Sequence, residues 1–247
     1  MENTSTKNLL ISFGSVILAF LCWVIPDQLA VRLADLLVEG KAKYYWLTVH
    51  HLAQLILVIG IMLLPWWGKT LSDWGWNFKN KEETLKILKA FAIGWLIFST
   101  IFVVVTNWVA GWPETLGFQA TKQNVVWYLF FELIIVGFAE EAMFRGLVYG
   151  VLKSNISTMV DLKLFQVSVA GILSAVIFTL AHVGFDFSQF KVTTVDPMQL
   201  IVAFVLGIFY VILRERTGSL LGPILAHNLT DGSLTIVYLM IHFFKVR

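Results

Sequence analysis

Apolar runs cover residues 9–25, 45–67, 85–110, 125–152, 164–185, 198–213 and 219–244. Each is close to or above the roughly 17–25 residues a membrane-spanning helix needs. No polar stretch between them is long enough for a soluble domain. Only 14% of residues are charged and 58% are hydrophobic, with a mean hydropathy of +0.78, whereas soluble domains carry roughly a quarter charged residues. The expected fold is all-α, a polytopic transmembrane helical bundle with any site between its core helices. Seven or eight spans are expected, because 219–244 is either one long tilted helix or two helices broken at Asp231-Gly232-Ser233.

The first run resembles a signal peptide, but no small-x-small cleavage site follows it, so it reads as a retained helix. Residues 27–44 place Leu29, Leu33, Leu36 and Leu37 on one helical face, which suits a short helix lying in the membrane interface. Trp23, Trp46, Trp66, Trp67, Trp74, Trp76 and Trp112 gather near run ends, as aromatic belts do. The most polar loop is 68–84, and a second, 186–197, follows His182 as an irregular candidate gate. Residues 1–84 are thus N-terminal spans, interfacial helix and loop, and 85–247 the membrane core of a single domain. Ten Lys and Arg residues fall on one side and five on the other, favouring a cytoplasmic N terminus. Lys245 and Arg247 join the first side only with eight spans. Cys22, the lone cysteine, excludes an intramolecular disulfide and a cysteine metal cluster. A net charge of +2 without a basic patch argues against nucleic acid, and no P-loop or dinucleotide fingerprint marks a nucleotide site.

Against this background the polar intrusions stand out. Glu140, Glu141 and Arg145 sit in GFAEEAMFRG, His182 in VIFTLAHVGF, and His227 with Asp231 in LLGPILAHNLTD. Ionisable groups at bilayer depth are costly, so such a cluster is by default a functional site. Glu141 and Arg145 are i and i+4 and share a helix face. Glu140 is rotated about 100° from Glu141 and need not join that pair. One arginine neutralises one glutamate, leaving the other to be protonated, partnered by a histidine or bound to a cation. A structural ion cluster locking two helices is the plainer reading. His227 and Asp231 also share a face, as an acid–imidazole pair does, and Pro223 is placed to kink their helix. His182 alone reads as a histidine bonded to a neighbouring carbonyl. His50 and His51, beside Trp46 and Gln54, read as interfacial. No G-x-S-G, G-x-G-D or H-E-x-x-H element marks another intramembrane protease class.

Taken in order, these elements resemble a known family. EEAMFR (140–145) resembles the E-E-x-x-x-R motif of the CAAX protease and bacteriocin-processing family (CPBP, also called Abi). FTLAH (178–182) is similar to its F-x-x-x-H motif, beginning at Phe178, and HNLTD (227–231) to its final H-x-x-x-N/D motif. RERTGSLLGPILAHNL (214–229) and the loop LSDWGW (71–76) extend the likeness to about residues 70–232. The resemblance implies an intramembrane endopeptidase of a cell membrane, bacterial in many members, that acts among membrane lipid on a short hydrophobic, prenylated or signalling peptide. It implies that Glu140, helped by His182, activates water, that His227 with Asp231 stabilises the oxyanion, and that Glu141–Arg145 holds the helix in register. Where the family pattern often has Asn, Asp231 cannot donate a hydrogen bond when charged. Asp231 is therefore either protonated or orients His227, and orientation is the expected role. A two-His-one-carboxylate zinc set of Glu140, His182 and His227 and a metal-free mechanism both fit the resemblance. A non-catalytic scaffold or bacteriocin-immunity protein of the same fold is the alternative. A proton-coupled transporter is a third reading, although no repeated halves are visible.

Overall fold

The computed structural model describes residues 4–37, 43–106, 120–161, 163, 165–186 and 189–245. Seven helices run through these residues. They are α1 (Thr4–Leu37), α2 (Lys43–Met62), α3 (Lys81–Val104), α4 from Lys122 to Lys153, α5 (Val169–Leu180), α6 (Pro197–Thr217) and α7 (Leu221–Lys245). Two antiparallel hairpins complete the described residues: β1 (Met159–Asp161) with β2 (Gln166–Ser168), and β3 (Gly184–Asp186) with β4 (Lys191–Thr194). Five helices, namely α1, α2, α3, α6 and α7, are long and apolar enough to cross a membrane, so the protein is an all-α membrane bundle. Leu9, Phe13, Ile56, Ile93, Ile101, Ile201 and Val205 are exposed along these helices, as lipid-facing positions are.

The last run is one unbroken helix, so the described residues hold seven helices, of which five are of spanning length, against the seven or eight spans expected. Pro223 lies in the first turn of α7, where its missing N–H breaks no helical bond, so it starts the helix and does not kink it. Among the described residues no separate interfacial helix follows α1. It continues through Pro26 to Leu37, and the rest of the expected segment, 38–42, lies outside the described residues, as does Trp112. The run at 164–185 yields only the 12 residues of α5, which cover about 18 Å. The expected irregular loop at 186–197 contains β4, which pairs with β3 as a hairpin.

α4 holds the centre, packing against α1, α2, α5, α6 and α7. It is α-helical over Lys122–Phe130, Val136–Glu141 and Tyr149–Lys153, with π-helical turns over Phe131–Ile135 and Ala142–Val148. Such turns disturb the backbone ladder, and in a bilayer polar backbone groups must find partners within the protein. Neighbouring side chains supply them. Asn228 of α7 accepts from Gly137 N at 2.8 Å and donates to Ile134 O at 3.2 Å. Ser174 of α5 donates to Phe144 O at 2.7 Å, and Arg214 of α6 to Arg145 O at 3.4 Å.

The loop before α3 is a plug. Trp74, expected at the interface, is fully buried and donates through Nε1 to Met62 O at 3.1 Å. Its ring lies against Gly150 of α4, where a Cβ would come within 2.8 Å of it or closer. Lys69 Nζ sits 4.5 Å over the same ring. Gly75 takes φ +102° and its carbonyl accepts from Leu220 N at 2.8 Å, tying the loop to the start of α7. Trp66, by contrast, is 72% exposed. Trp74→Ala should therefore cost about 3–5 kcal/mol and lower the melting temperature in detergent, while Trp66→Ala should leave it nearly unchanged. Equal effects would refute the plug.

Candidate active site

Glu141 is fully buried, and its Oε1 accepts two hydrogen bonds, from Arg145 Nη1 at 2.9 Å and from His227 Nδ1 at 2.7 Å. Arg145, also fully buried, donates through Nη2 to Gly207 O of α6 at 3.1 Å. Its guanidinium lies 4.2 Å from the Phe178 ring centroid and 5.2 Å from that of Tyr210. Gly207 permits this approach, since a Cβ there would meet both Arg145 Nη2 and Phe178 at 3.2 Å. The Glu141–Arg145 pair expected from i,i+4 spacing is formed, and it reaches two further helices that the spacing did not indicate.

His227 is held on both ring nitrogens. Glu141 takes Nδ1, while Nε2 lies 3.2 Å from Asp231 Oδ2 and 3.8 Å from Glu140 Oε2. The ring stacks on Tyr210 at 5.1 Å and meets Phe178 edge-on at 5.8 Å. A neutral imidazole carries one N–H, so a ring placed between carboxylates on both sides is an imidazolium, or one of the acids holds the proton. Orientation of the ring through Nδ1 falls to Glu141, not to Asp231 as expected. Asp231, one turn along α7, meets the nitrogen that faces the cavity. Tyr210 and Thr230 share a hydrogen bond at 2.8 Å, and Thr230 Oγ1 reaches His227 O at 2.7 Å, which fixes this stretch of α7.

His182 lies in the turn just after α5, not within a helix. A helix end leaves its last carbonyls without helical donors. His182 supplies one, with Nδ1 2.9 Å from Phe178 O. Only Nδ1–H can donate to a carbonyl, so Nε2 remains for the cavity. The imidazole also meets the Phe178 ring edge-on at 4.7 Å. That is the physical content of the F-x-x-x-H spacing here: the histidine caps the helix whose aromatic it packs on.

Glu140, His182, His227 and Asp231 line one cavity of about 210 Å³ with Phe178, Tyr210 and Gln199. Two side chains near it were not anticipated. His51, expected at the interface, is buried at mid-length of α2, with Nε2 3.2 Å from Glu140 Oε1 and Nδ1 2.8 Å from Leu47 O. Glu132 is hydrogen-bonded to Tyr128 and within electrostatic reach of Asp231, His227 and Glu140. On a regular helix Glu132 would be about 80° from Glu140. The extra residue of the intervening π turn brings it to within about 20° of the same face. The signal was its place as a carboxylate in the same apolar run. As for zinc, no three His, Cys, Asp or Glu side chains among the described residues stand in metal-holding geometry. The ligand set of Glu140, His182 and His227 implied by the resemblance is thus not formed by these side chains as they are placed.

Residues 122–233 match the model of the Rce1-like family, described as type II CAAX prenyl endopeptidase Rce1-like. This is the grouping that the motif order resembles. The matched segment runs from the start of α4 to Ser233 of α7 and carries every expected site residue, leaving α1, α2 and α3 outside it. That segment, just under half of the chain, is therefore similar to CAAX-type prenyl endopeptidases. No curated protein and no solved structure matches the chain.

Because Glu141 Oε1 joins α4 to α7 and Arg145 joins α4 to α6, Arg145→Ala should be strongly destabilising. Breaking a buried pair by removing one partner costs about 3–5 kcal/mol. Arg145→Lys should recover little, since one ammonium cannot reproduce the planar fork to Glu141 and Gly207. Thermal unfolding in detergent checks this, and an Arg145→Ala protein as stable as the parent would count against it.

Proposed function

We propose that this chain, whose matched segment is similar to CAAX-type prenyl endopeptidases, is an intramembrane endopeptidase that hydrolyses a peptide bond in a short hydrophobic or lipid-associated peptide. The supporting observation is the shared cavity, in which Glu140 has one oxygen on His51 while the other, Oε2, is 3.8 Å from His227 Nε2 and beyond hydrogen-bond range of it. Oε2 is the atom suited to take a proton from water.

In the proposed reaction His182 Nε2 and Glu140 Oε2 hold the water. Glu140 accepts its proton as the water oxygen bonds to the peptide carbonyl carbon. The carbonyl electron pair moves to oxygen, and His227 Nε2–H donates to that oxyanion, the preorganised donor such a step needs. The oxyanion pair then re-forms the carbonyl as the carbon–nitrogen bond breaks, the bonding pair leaves with nitrogen, and Glu140 returns the proton to that departing amine, so protons and electrons balance. Glu141 sets the imidazole by its far nitrogen. Asp231 accepts from Nε2–H in the resting site and keeps the imidazolium paired until the oxyanion takes that place. Substrate reaches the cavity among membrane lipids of a cell membrane, bacterial as in many proteins the motifs resemble, and the ten-to-five Lys and Arg asymmetry supports a cytoplasmic N terminus.

The test is cleavage of internally quenched hydrophobic peptides, with and without a prenylated cysteine, by the protein in liposomes. Glu140→Gln should lose at least about 100-fold in turnover while remaining folded. Turnover equal to the parent's would refute the role of Glu140.

Asp231→Asn keeps the shape and removes the charge. If Asp231 pairs with the imidazolium, the variant should lose roughly tenfold in turnover. If Asp231 is instead a protonated donor, the amide replaces it, and turnover equal to or above the parent's would overturn the pairing role.

A further inference from the structure

We propose that His51, on α2 and outside the segment matched to CAAX proteases, is the positioning residue for Glu140, so that the N-terminal helices complete the catalytic site. This inference rests on the endopeptidase reading above.

Three observations carry it. First, His51 is itself fixed. Its Nδ1 meets Leu47 O at 2.8 Å, and its ring stands edge-on to Phe131 of α4 at 5.0 Å and 77°. Second, its Nε2 points at Glu140 Oε1 at 3.2 Å. A carbonyl only accepts, so Nδ1 carries a hydrogen. With that nitrogen protonated, Nε2 can bond a carboxyl oxygen only if the pair holds one further proton, either on the imidazole or on Glu140. The contact is therefore a charge-assisted hydrogen bond or its proton-transferred equivalent, both directional. Third, the two oxygens of Glu140 face different partners, Oε1 toward α2 and Oε2 toward His227 of α7. Anchoring Oε1 fixes the rotation of the carboxylate and thereby the aim of Oε2. No other hydrogen bond to the Glu140 side chain is present among the described residues, and without His51 only the longer ion pair of Oε2 with His227 Nε2 at 3.8 Å orients the carboxylate.

His51 touches neither the reacting carbon nor the water in this scheme and acts through Glu140. Misaiming a reacting group by about 1 Å can cost roughly 100-fold in rate, and that is the scale of effect expected.

Two substitutions separate hydrogen bonding from packing. His51→Phe keeps a ring against Phe131 and removes both nitrogens. His51→Gln gives up the ring but places an amide N–H near the position of Nε2. With the same quenched peptides in liposomes, His51→Phe should lower kcat roughly 10- to 100-fold with KM within about twofold, and His51→Gln should recover much of the loss. Combining His51→Phe with Glu140→Gln should be no slower than Glu140→Gln alone, because the two act as a unit. Melting temperatures identify any variant that fails to fold, and His51→Gln then carries the comparison with the parent. Parental kcat in His51→Phe, or better activity in Phe than in Gln, would overturn the proposal while leaving the endopeptidase reading intact. A parent that cleaves no peptide in the set would remove both.

Discussion

One carboxylate oxygen holds the core together. Glu141 Oε1 receives a guanidinium from its own helix and an imidazole from α7, and the same guanidinium reaches on to a carbonyl of α6. None of these groups would be tolerated at bilayer depth alone, and each is tolerated because the others are present. Four buried elements depend on that junction: α4, α6, α7 and the Phe178 ring at the end of α5, which lies against the guanidinium. A buried ion pair of this kind contributes little net stability compared with apolar packing, but it permits one arrangement of its helices. It holds His227 with its second nitrogen toward the cavity.

Much of this was legible in the sequence. The apolar runs gave the helices, since a membrane helix is signalled by length and hydropathy over its whole extent. The acid pair, arginine and histidines were legible because charge in an apolar run is conspicuous. What pattern alone could not show was partnership between distant segments. His51 looked interfacial because its run begins only a few residues earlier, and nothing local indicates that it meets a carboxylate 89 residues away. Trp74 looked like a belt residue because tryptophan is common at interfaces, whereas its ring fills the space left by Gly150. Asp231 was expected to orient His227 because i,i+4 spacing puts them on one face. Spacing does not say which ring nitrogen it meets, and Glu141 occupies the other.

Departures from regular helix geometry account for the remaining differences. The two π turns of α4 shift its register, so positions read from a 3.6-residue period drift off their true face, as Glu132 does. These irregularities are stabilised from outside the helix by Asn228, Ser174 and Arg214, each on a different neighbour. The final motif residues thus have two kinds of duty. His227 and Asp231 face the cavity, while Asn228, between them in sequence, turns the other way and supports the backbone of the helix that carries Glu140.

The short length of α5 has a consequence for the surrounding lipid. At about 18 Å it spans little more than half of a roughly 30 Å hydrocarbon core. The chain beyond His182 continues as the β3–β4 hairpin, which mixes Lys191, Thr193 and Thr194 with exposed Phe190 and Val192, where a full-length helix would have continued the span. Wherever so short an element faces lipid, thinning of the adjacent leaflet relieves the mismatch, and the distance between bulk water and the cavity on that flank falls with it. The length of one helix thus bears on how far the cavity lies from bulk water.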